Sequence, residues 1–273
     1  MLVVADLGGS NTDLLLADDG GTVVRSVVCP PLEPSESRVF LDALLSPLSA
    51  PADAVTAVVV TGGRHRRIGE TIAGTPVRHV DEIEAIGRGG LLAADVSRAL
   101  VVSMGTGTAF VSAEPDRIAH AAGVALGGGT LRGLAMRLLG TADHAEIAAL
   151  AEQGQPRGAD LTVADIVGGD VGILPGDMPA AYFARLVDGD PSPPDIAAGI
   201  LDMIGHIATH MALLTARVHG HDTVVMVGHM LEYPTVVRAA RRFQYALGGT
   251  FIVPPDPGIA VARGALAIAT RAD

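Results

Sequence analysis

Three glycine-rich turns carry the residue types that bind phosphate groups. They are residues 6–10 (DLGGS), 104–108 (MGTGT) and 127–130 (GGGT), and the first two follow apolar runs that predict strands. Glycine lets backbone N–H groups approach an anion without a Cβ in the way, and hydroxyl side chains add further donors. One such turn is typical of a hairpin. Two after strands, with a third that opens a helix, predict a phosphate cradle built from two halves of the molecule.

The third turn offers phosphate a different set of donors from the first two. Residues 127–129 open a predicted helix, whose dipole and free N–H groups favour an anion. The alternative is that these glycines allow a helix to pack closely on a strand.

Asp6 is the residue best placed to hold a metal ion. It follows an apolar strand and precedes the first glycines, so its carboxylate could hold Mg²⁺ against nucleotide phosphates, directly or through water. The alternative is an ordinary turn aspartate that accepts hydrogen bonds from nearby amides.

Glu82 is the best candidate for a catalytic base. A carboxylate beside a cleft can accept the proton of a hydroxyl that attacks the γ-phosphoryl group of ATP. Asp81 and Glu84 stand next to it, and a helix begins at 81–82, so the residues alone favour a helix-capping carboxylate instead.

Other catalytic chemistries find little support. His206 and His210 are one helical turn apart without an accompanying carboxylate motif, which predicts a solvated or interface pair and not a metal site. Ser10 and Ser103 lack any nearby His/Asp signature for nucleophilic hydrolysis.

The predicted elements bring the turns together from two similar halves. Three strands at the start form a β-meander, and the pattern of strand, glycine turn and strand occurs again from residue 99, which indicates two α/β halves with a cleft between them. Strands are predicted over 2–5, 14–17, 23–28, 57–60, 99–103, 109–113, 223–227 and 251–253. Helices are predicted over 37–45, 82–94, 127–139, 143–153, 195–218, 235–246 and 259–269.

Composition narrows the functional class. The 273 residues carry a formal charge of −11, which argues against a nucleic-acid or anionic-membrane surface. All 19 basic residues are Arg, so a cationic phosphate contact must come from Arg or metal. Cys29 is the single cysteine and fits a reducing cytoplasm. The apolar stretch 196–218 contains Asp202, two His and Arg217, which favours a buried or interface helix over a membrane span.

The order of the motifs resembles that of the type II pantothenate kinases over nearly the whole chain. The matching segments are 6–10, 61–63 (TGG), 80–82 (VDE), 102–108 (VSMGTGT), 126–133 (LGGGTLRG), 160–166, 173–177 and 258–267. The resemblance implies an α/β fold with duplicated actin/hexokinase-like (ribonuclease H-like) domains, whose mixed sheets are flanked by helices. It also implies a homodimer, the cofactors ATP and Mg²⁺, and phosphorylation of pantothenate or a similar small hydroxy acid in coenzyme A biosynthesis.

The same resemblance assigns roles to individual residues. Glu82 matches the catalytic base, residues 6–10 the first phosphate loop, residues 127–129 another nucleotide-contacting turn and Gly228 a glycine on the adenosine side. Thr106, Ala109 and His120 match positions on the substrate side. Nucleotide contacts are expected from Asp6, Gly8, Gly9, Ser10, Asn11, Gly105, Gly107, Gly127, Gly128, Gly129 and Gly228.

Three positions depart from the family pattern. Asp13 stands where the family usually has Lys, Ala109 where it often has Ser, and His120 where it has an Arg. Arg binds a carboxylate through two parallel hydrogen bonds and His cannot, so the acceptor's carboxylate loses its usual partner. Three interpretations stay open: a pantothenate kinase with compensating arginines (Arg64, Arg66 or Arg132), a kinase for another hydroxylated metabolite, and a non-catalytic nucleotide- or coenzyme A-binding regulator.

The predicted domain organisation follows from the repeat. Residues 1–97 form the first half, with the first phosphate loop and Glu82, and residues 98–273 form the second half, with the other nucleotide loops. The 195–218 helix is apolar on more than one face and is the candidate dimer element. Regulation by coenzyme A thioesters is implied by the resemblance alone.

Overall fold

The computed structural model describes residues 1–247 and 249–271, and its first sheet contains six strands. The sheet order is β3-β2-β1-β4-β6-β5, where β1–β2–β3 is an antiparallel meander and β1, β4 and β6 are parallel neighbours. The elements are β1 (Leu2–Leu7), β2 (Thr12–Ala17), β3 (Val23–Cys29), α1 (Arg38–Leu45), β4 (Ala57–Thr61), β5 (Thr71–Ile72), β6 (Thr75–His79) and α2 (Glu82–Ala94). The predicted meander is confirmed.

The second sheet repeats this beginning. Its order is β13-β12-β7-β8-β9, with an antiparallel β7–β8–β9 meander and parallel β7, β12 and β13. Its strands and the helices around them are β7 (Ala99–Met104), β8 (Thr108–Glu114), β9 (Arg117–Val124), α3 (Gly128–Leu139), α4 (His144–Gln153), α5 (Pro156–Ala159), β10 (Leu161–Thr162), α6 (Val163–Val167), β11 (Pro179–Ala181), α7 (Pro193–His219), β12 (Thr223–Val227), α8 (Pro234–Leu247), β13 (Thr250–Ile252) and α9 (Ala260–Ala269). The short β10 and β11 pair with each other outside this sheet.

The hydrophobic core consists of three layers of contact. One lies between the first sheet and α1, and another lies between the second sheet and α7, α8 and their neighbours. The third lies between the two sheets, where α2 packs on the second sheet and α9 packs on the first. Because α2 and α9 also pack on each other, the last helix links the two halves.

Glycines set the separation of this central helix pair. An ideal Cβ on Gly264 would lie 2.1 Å from the carbonyl oxygen of Ala85, and one on Gly89 would lie 2.0 Å from that of Ala260. A side chain at either position would overlap the opposite backbone, so the absence of a side chain there is what allows this approach.

The structure contains elements that the sequence did not predict, namely the strands β5, β6, β9, β10 and β11 and the short helices α5 and α6. Strand β6 was not predicted because Pro76 interrupts its apolar pattern. Strand β9 was not predicted because its small residues and His120 weaken the apolar pattern of a strand. The side chain of His206, for which a solvated or interface setting was predicted, is half-buried. Its ring stacks on Phe243 with centroids 3.5 Å apart, and Tyr182 hydrogen-bonds to its Nδ1.

The long helix α7 is largely internal to the protomer. It begins at Pro193 after the Ser192 cap, and fifteen of its residues are buried. Among the described residues it is the one helix long and apolar enough to cross a membrane by length and composition, and 72% of its most apolar window is buried in the protein. Leu214 and Val218 remain exposed on its outer face.

Candidate active site

A cleft of about 660 Å³ opens between the two halves and collects most of the predicted site residues. From the first half come the turn after β1 and the start of α2, and from the second half come the turn after β7 and the end of β12. The predicted residues that line it are Asp6, Gly8, Gly9, Ser10, Asn11, Glu82, Gly105, Thr106, Gly107, Ala109, Gly128 and Gly228. Gly127, Gly129 and His120 are outside this lining.

The first two glycine turns touch each other across the cleft. The hydroxyl oxygens of Ser10 and Thr106 lie 2.9 Å apart. An ideal Cβ on Gly9 would lie 2.8 Å from the Thr106 hydroxyl oxygen, so a side chain at residue 9 would push the turns apart. The pair of turns therefore forms one continuous surface of amides and hydroxyls, contributed by both halves.

The third turn is packed tightly against the second. The amides of Gly128 and Gly129 donate to the carbonyls of Gly105 and Thr106 at 2.8 and 2.9 Å. A Cβ on Gly127 would lie 2.6 Å from the Gly105 carbonyl oxygen. These contacts match the packing alternative for this turn, because two of its N–H groups are engaged inside the protein. Contact between phosphate and Gly127 or Gly129 stays a prediction.

Asp6 lies at the bottom of the cleft among other acids. Burial is the main reason that its pKa rises to about 8, and the nearby carboxylates of Asp13 and Glu82 raise it further. Among the described residues no group of three or more His, Cys, Asp or Glu side chains forms a ready metal site. Mg²⁺ commonly uses one or two carboxylates together with substrate phosphates and water. A carboxylate that lines a cleft among other acids, as Asp6 does, fits that ion.

Glu82 is the first residue of α2, and it does not cap the helix. The Asp81 side chain takes that role, because it accepts hydrogen bonds from the amides of Ile83 and Glu84 at 2.9 and 3.4 Å. The capping interpretation is therefore wrong for Glu82, whose side chain lines the cleft. Burial raises its pKa, although His65 acts in the opposite direction.

Arg64 is the arginine that reaches the cleft. Its guanidinium donates to the Gly8 carbonyl and lies 3.3 Å from the Glu33 carboxylate. Arg66 is 3.6 Å from the carboxylate of Asp81, directly beside the start of α2. Arg64 and Arg66, two of the three arginines considered as compensating cations, thus lie near Glu82 in the folded protein.

The substrate-side predictions are only partly brought together. Thr106 and Ala109 line the cleft, whereas His120 is exposed on β9. Gly123 and Val124 of the same strand lie in the cleft wall, so His120 is three residues along the strand from it.

Sequence reasoning missed a charged bridge across the cleft floor. Asp13 lies directly opposite Asp6 in the β1–β2 pair and is only 5% exposed. The Nε2–H of His229 donates to both Asp13 oxygens at 2.8 and 3.0 Å, and Nδ1–H donates to Glu232 at 2.7 Å. Burial opposes protonation of His229, but these two carboxylates outweigh it and raise its pKa to about 10. The Lys-to-Asp departure was visible in the sequence, whereas its partner, more than 200 residues away, was not.

Two further cleft residues had no sequence signal. His144 and Tyr233 line the cleft near Met230, and the His144 ring nitrogen Nδ1 hydrogen-bonds with the Tyr233 hydroxyl. Burial lowers the pKa of His144 and raises that of Tyr233, so this pair is uncharged near neutral pH. It gives one wall of the cleft a flat, neutral surface.

Solved structures share this architecture. The chain is similar to the activator of the 2-hydroxyisocaproyl-CoA dehydratase from Clostridium difficile with bound ADPNP, with a TM-score of 0.68, 17% identity, and coverage of 98% of this chain and 94% of that one. It is also similar to the ROK family glucokinase from Streptomyces griseus in complex with glucose and AMPPNP, with a TM-score of 0.61, 15% identity and 98% coverage of both chains. The fold is that of the actin/hexokinase-like ATPases, as predicted.

Sequence comparison narrows this class to one family. The Fumble family profile matches residues 92–245, more than half of the chain. The type II pantothenate kinase of Bacillus cereus (strain ZK / E33L) is 27% identical over 227 residues, which cover 78% of this chain and 81% of that protein. That of Staphylococcus aureus (strain USA300) is 25% identical over 234 residues, 81% of this chain and 86% of that protein. The chain belongs to the Fumble family, that of the type II pantothenate kinases.

Proposed function

We propose that this protein is an ATP-dependent pantothenate kinase of coenzyme A biosynthesis. The observation that carries the proposal is that Glu82 does not cap α2 and lines the same cleft as the two glycine turns. Phosphoryl transfer to an alcohol requires a carboxylate that can accept a proton, opposite a surface of amides and hydroxyls that binds phosphate. Membership of the Fumble family and the names of the relatives support the choice of acceptor.

The reaction assigns a task to each side of the cleft. Amides and hydroxyls of the turns at Gly8–Ser10 and Gly105–Gly107 hold the phosphates of ATP. Glu82 accepts the proton of the acceptor hydroxyl as its oxygen bonds to the γ-phosphorus, and the bond from that phosphorus to the β,γ-bridging oxygen breaks to release ADP. Mg²⁺, when bound beside Asp6, supplies positive charge to the phosphates.

The raised pKa of Glu82 suits a base. A carboxyl whose pKa lies above its ordinary value holds a proton more readily than an exposed one. Desolvation of the side chain is the physical cause, so water exclusion at the cleft and basicity come from the same packing.

Recognition of the acceptor's carboxylate is assigned to Arg64. It lines the cleft beside the first phosphate loop, and a guanidinium can form two parallel hydrogen bonds with a carboxylate. Thr106, Ala109 and His120 are the substrate-side positions proposed with it. A kinase acting on another small hydroxy acid is the second candidate, because Ala109 and His120 lack the groups expected from the family pattern.

The proposed assembly is a homodimer, and its proposed location is the cytoplasm. Support for an interface comes from apolar side chains that stay exposed on α6, in the segment between α6 and α7, and on α7. These residues are Ile166, Val167, Val171, Ile173, Leu174, Val187, Leu214 and Val218. Coenzyme A thioesters are the proposed regulators, on the family resemblance alone.

A coupled assay of ADP release tests the function. Purified protein with Mg-ATP is offered pantothenate and a panel of other hydroxy acids. Pantothenate-dependent turnover that falls at least about 100-fold in Glu82→Gln supports the proposal, since general-base contributions are about 10²–10⁴-fold. Glu84→Gln, an exposed neighbour on the same helix turn, is the matched control and should retain turnover. Turnover confined to another acceptor favours the second candidate, and nucleotide binding without any turnover favours a regulator.

A further inference from the structure

The floor of the cleft contains a charged contact whose two sides belong to different halves of the protein. Asp13 is on β2 of the first sheet, and His229 follows Gly228 at the end of β12 in the second sheet. The contact is shielded from solvent, because Asp13 is 5% exposed and the His229 side chain 19% exposed.

The hydrogen bonds of the ring define its charge. Each ring nitrogen of His229 faces a carboxylate, Asp13 on one side and Glu232 on the other. Carboxylates only accept hydrogen bonds, so both nitrogens must carry protons and the ring is an imidazolium. A cation is thereby fixed at the cleft floor, next to the residue that stands where the family usually has Lys.

The bridge also lies against the segment that leads into α9. The amide of Gly228 donates to the Pro257 carbonyl at 2.8 Å, and a Cβ on Gly258 would lie 2.6 Å from the His229 ring. Gly258 leads into α9, which packs on α2. The ring is therefore enclosed by both halves and by the connection to the helix that carries the proposed base.

We infer that His229 is a positioning residue for nucleotide binding, which holds the phosphate turns of the two halves at their working separation by clamping Asp13. The inference rests on the proposed nucleotide site. The Asp13–His229 contact and the Ser10–Thr106 contact both join the two halves at this cleft, so loss of the first leaves the second to hold the two turns together. In this chain Asp13, at the position where the family usually has Lys, forms an ion pair with the other half of the protein.

The test measures ADP affinity, which does not depend on turnover. Isothermal titration calorimetry gives the Kd for ADP with Mg²⁺ and with EDTA for the wild type, Asp13→Asn, His229→Gln and the double variant. We expect each single change to weaken ADP binding about 10-fold in both buffers, and the double variant to be no weaker than the singles because both remove the same contact. The exchanged pair Asp13→His with His229→Asp should recover most of the affinity.

The control and the contradicting results separate this inference from the proposed function. His221→Gln removes another interior His of the second half, whose Nε2 bonds to Ser112 away from the cleft, and should leave the ADP affinity unchanged. If the wild type itself does not bind ADP, the proposed function fails. If it binds and folded single variants bind within twofold of it, or their effects add in the double variant, His229 is not a positioning residue. A loss confined to Mg²⁺ buffer also overturns the inference, and makes Asp13 a metal ligand instead.

Should the single variants prove too unstable to purify, Glu232→Gln provides a milder change. It weakens the hydrogen bond to Nδ1 and so holds the ring that clamps Asp13 less firmly. The inference then requires a smaller loss of ADP affinity, of about two- to fivefold, and unchanged affinity would contradict it.

Discussion

The glycine contact between α2 and α9 predicts that one methyl group, remote from the cleft, will impair catalysis. In Gly264→Ala the new Cβ meets the Ala85 carbonyl oxygen at 2.1 Å and the Gly89 amide nitrogen at 2.6 Å, whereas ordinary contact begins near 3.4 Å. The two helices must therefore separate by roughly 1 Å, because backbone atoms on both sides cannot rotate away.

The displacement has a stability component and a catalytic component. Overpacking of this kind costs about 1–3 kcal/mol of unfolding free energy. Ala85 is one turn from Glu82, so movement of α2 carries the proposed base with it. A misplacement of about 1 Å at a reacting group can lower turnover about 100-fold. We expect kcat to fall by about that factor while the KM for ATP changes less, since the phosphate turns are not on α2.

Gly133→Ala is the matched control for this prediction. Gly133 is on the exposed side of α3, and its added Cβ would have no atom within 4 Å. Alanine is the better helix former by about 1 kcal/mol, so this change should leave kcat unaltered and raise the melting temperature slightly. The reasoning is refuted if Gly264→Ala lowers the melting temperature but keeps kcat within threefold of the wild type. In that case α9 moves and α2 does not.

Other perturbations test separate parts of the structure. Arg242→Met should lower the unfolding free energy in urea by about 3–5 kcal/mol, because it strands the 3% exposed Asp202 without the guanidinium that bonds both its oxygens at 2.8 Å. Asp81→Ala should cost about 1 kcal/mol of stability through loss of the α2 cap, and circular dichroism melts measure it. Burial lowers the pKa of His206 to about 3, so the unfolded chain binds the extra proton and wild-type stability should decline as the pH falls from about 6.5 towards 3. Urea titrations across that range should show a flatter decline in His206→Asn. The pKa of Glu82 is raised above 4.5, so kcat should be lost as the pH falls through that raised value, and a pH–rate profile that is flat down to pH 4 would contradict its role as base.

Much of the fold could be predicted because its information is local. Strands β1 and β4 are short runs of buried apolar residues, and the glycine turns that follow β1 and β7 mark where each chain segment turns towards the cleft. Strand β9 could not be predicted in this way, since it is an edge strand that buries neither face completely and therefore shows no alternation.

The part of the site that consists of backbone turns could be predicted from the sequence, whereas the contacts of its side chains could not. Asp81 and Glu82 compete for one cap position, and only the structure decides that Asp81 takes it. The Asp13–His229 contact joins residues 216 positions apart, so no local sequence pattern predicts it. The packing of Gly127 against Gly105 is likewise a property of two distant segments, and it changes which amides are free.

The return of α9 to the first half has a consequence for how the chain folds during synthesis. The buried face of the first sheet that lies between the halves is covered by residues 260–269, which leave the ribosome after every other described element. Until then that apolar face and the neighbouring α2 lack their packing partner. The nascent first half therefore stays incomplete for about 170 residues of further translation. The order of synthesis thus brings α9 to the first sheet only after the other described elements have been made, and α2, which carries the proposed catalytic base, gains this packing partner at that point.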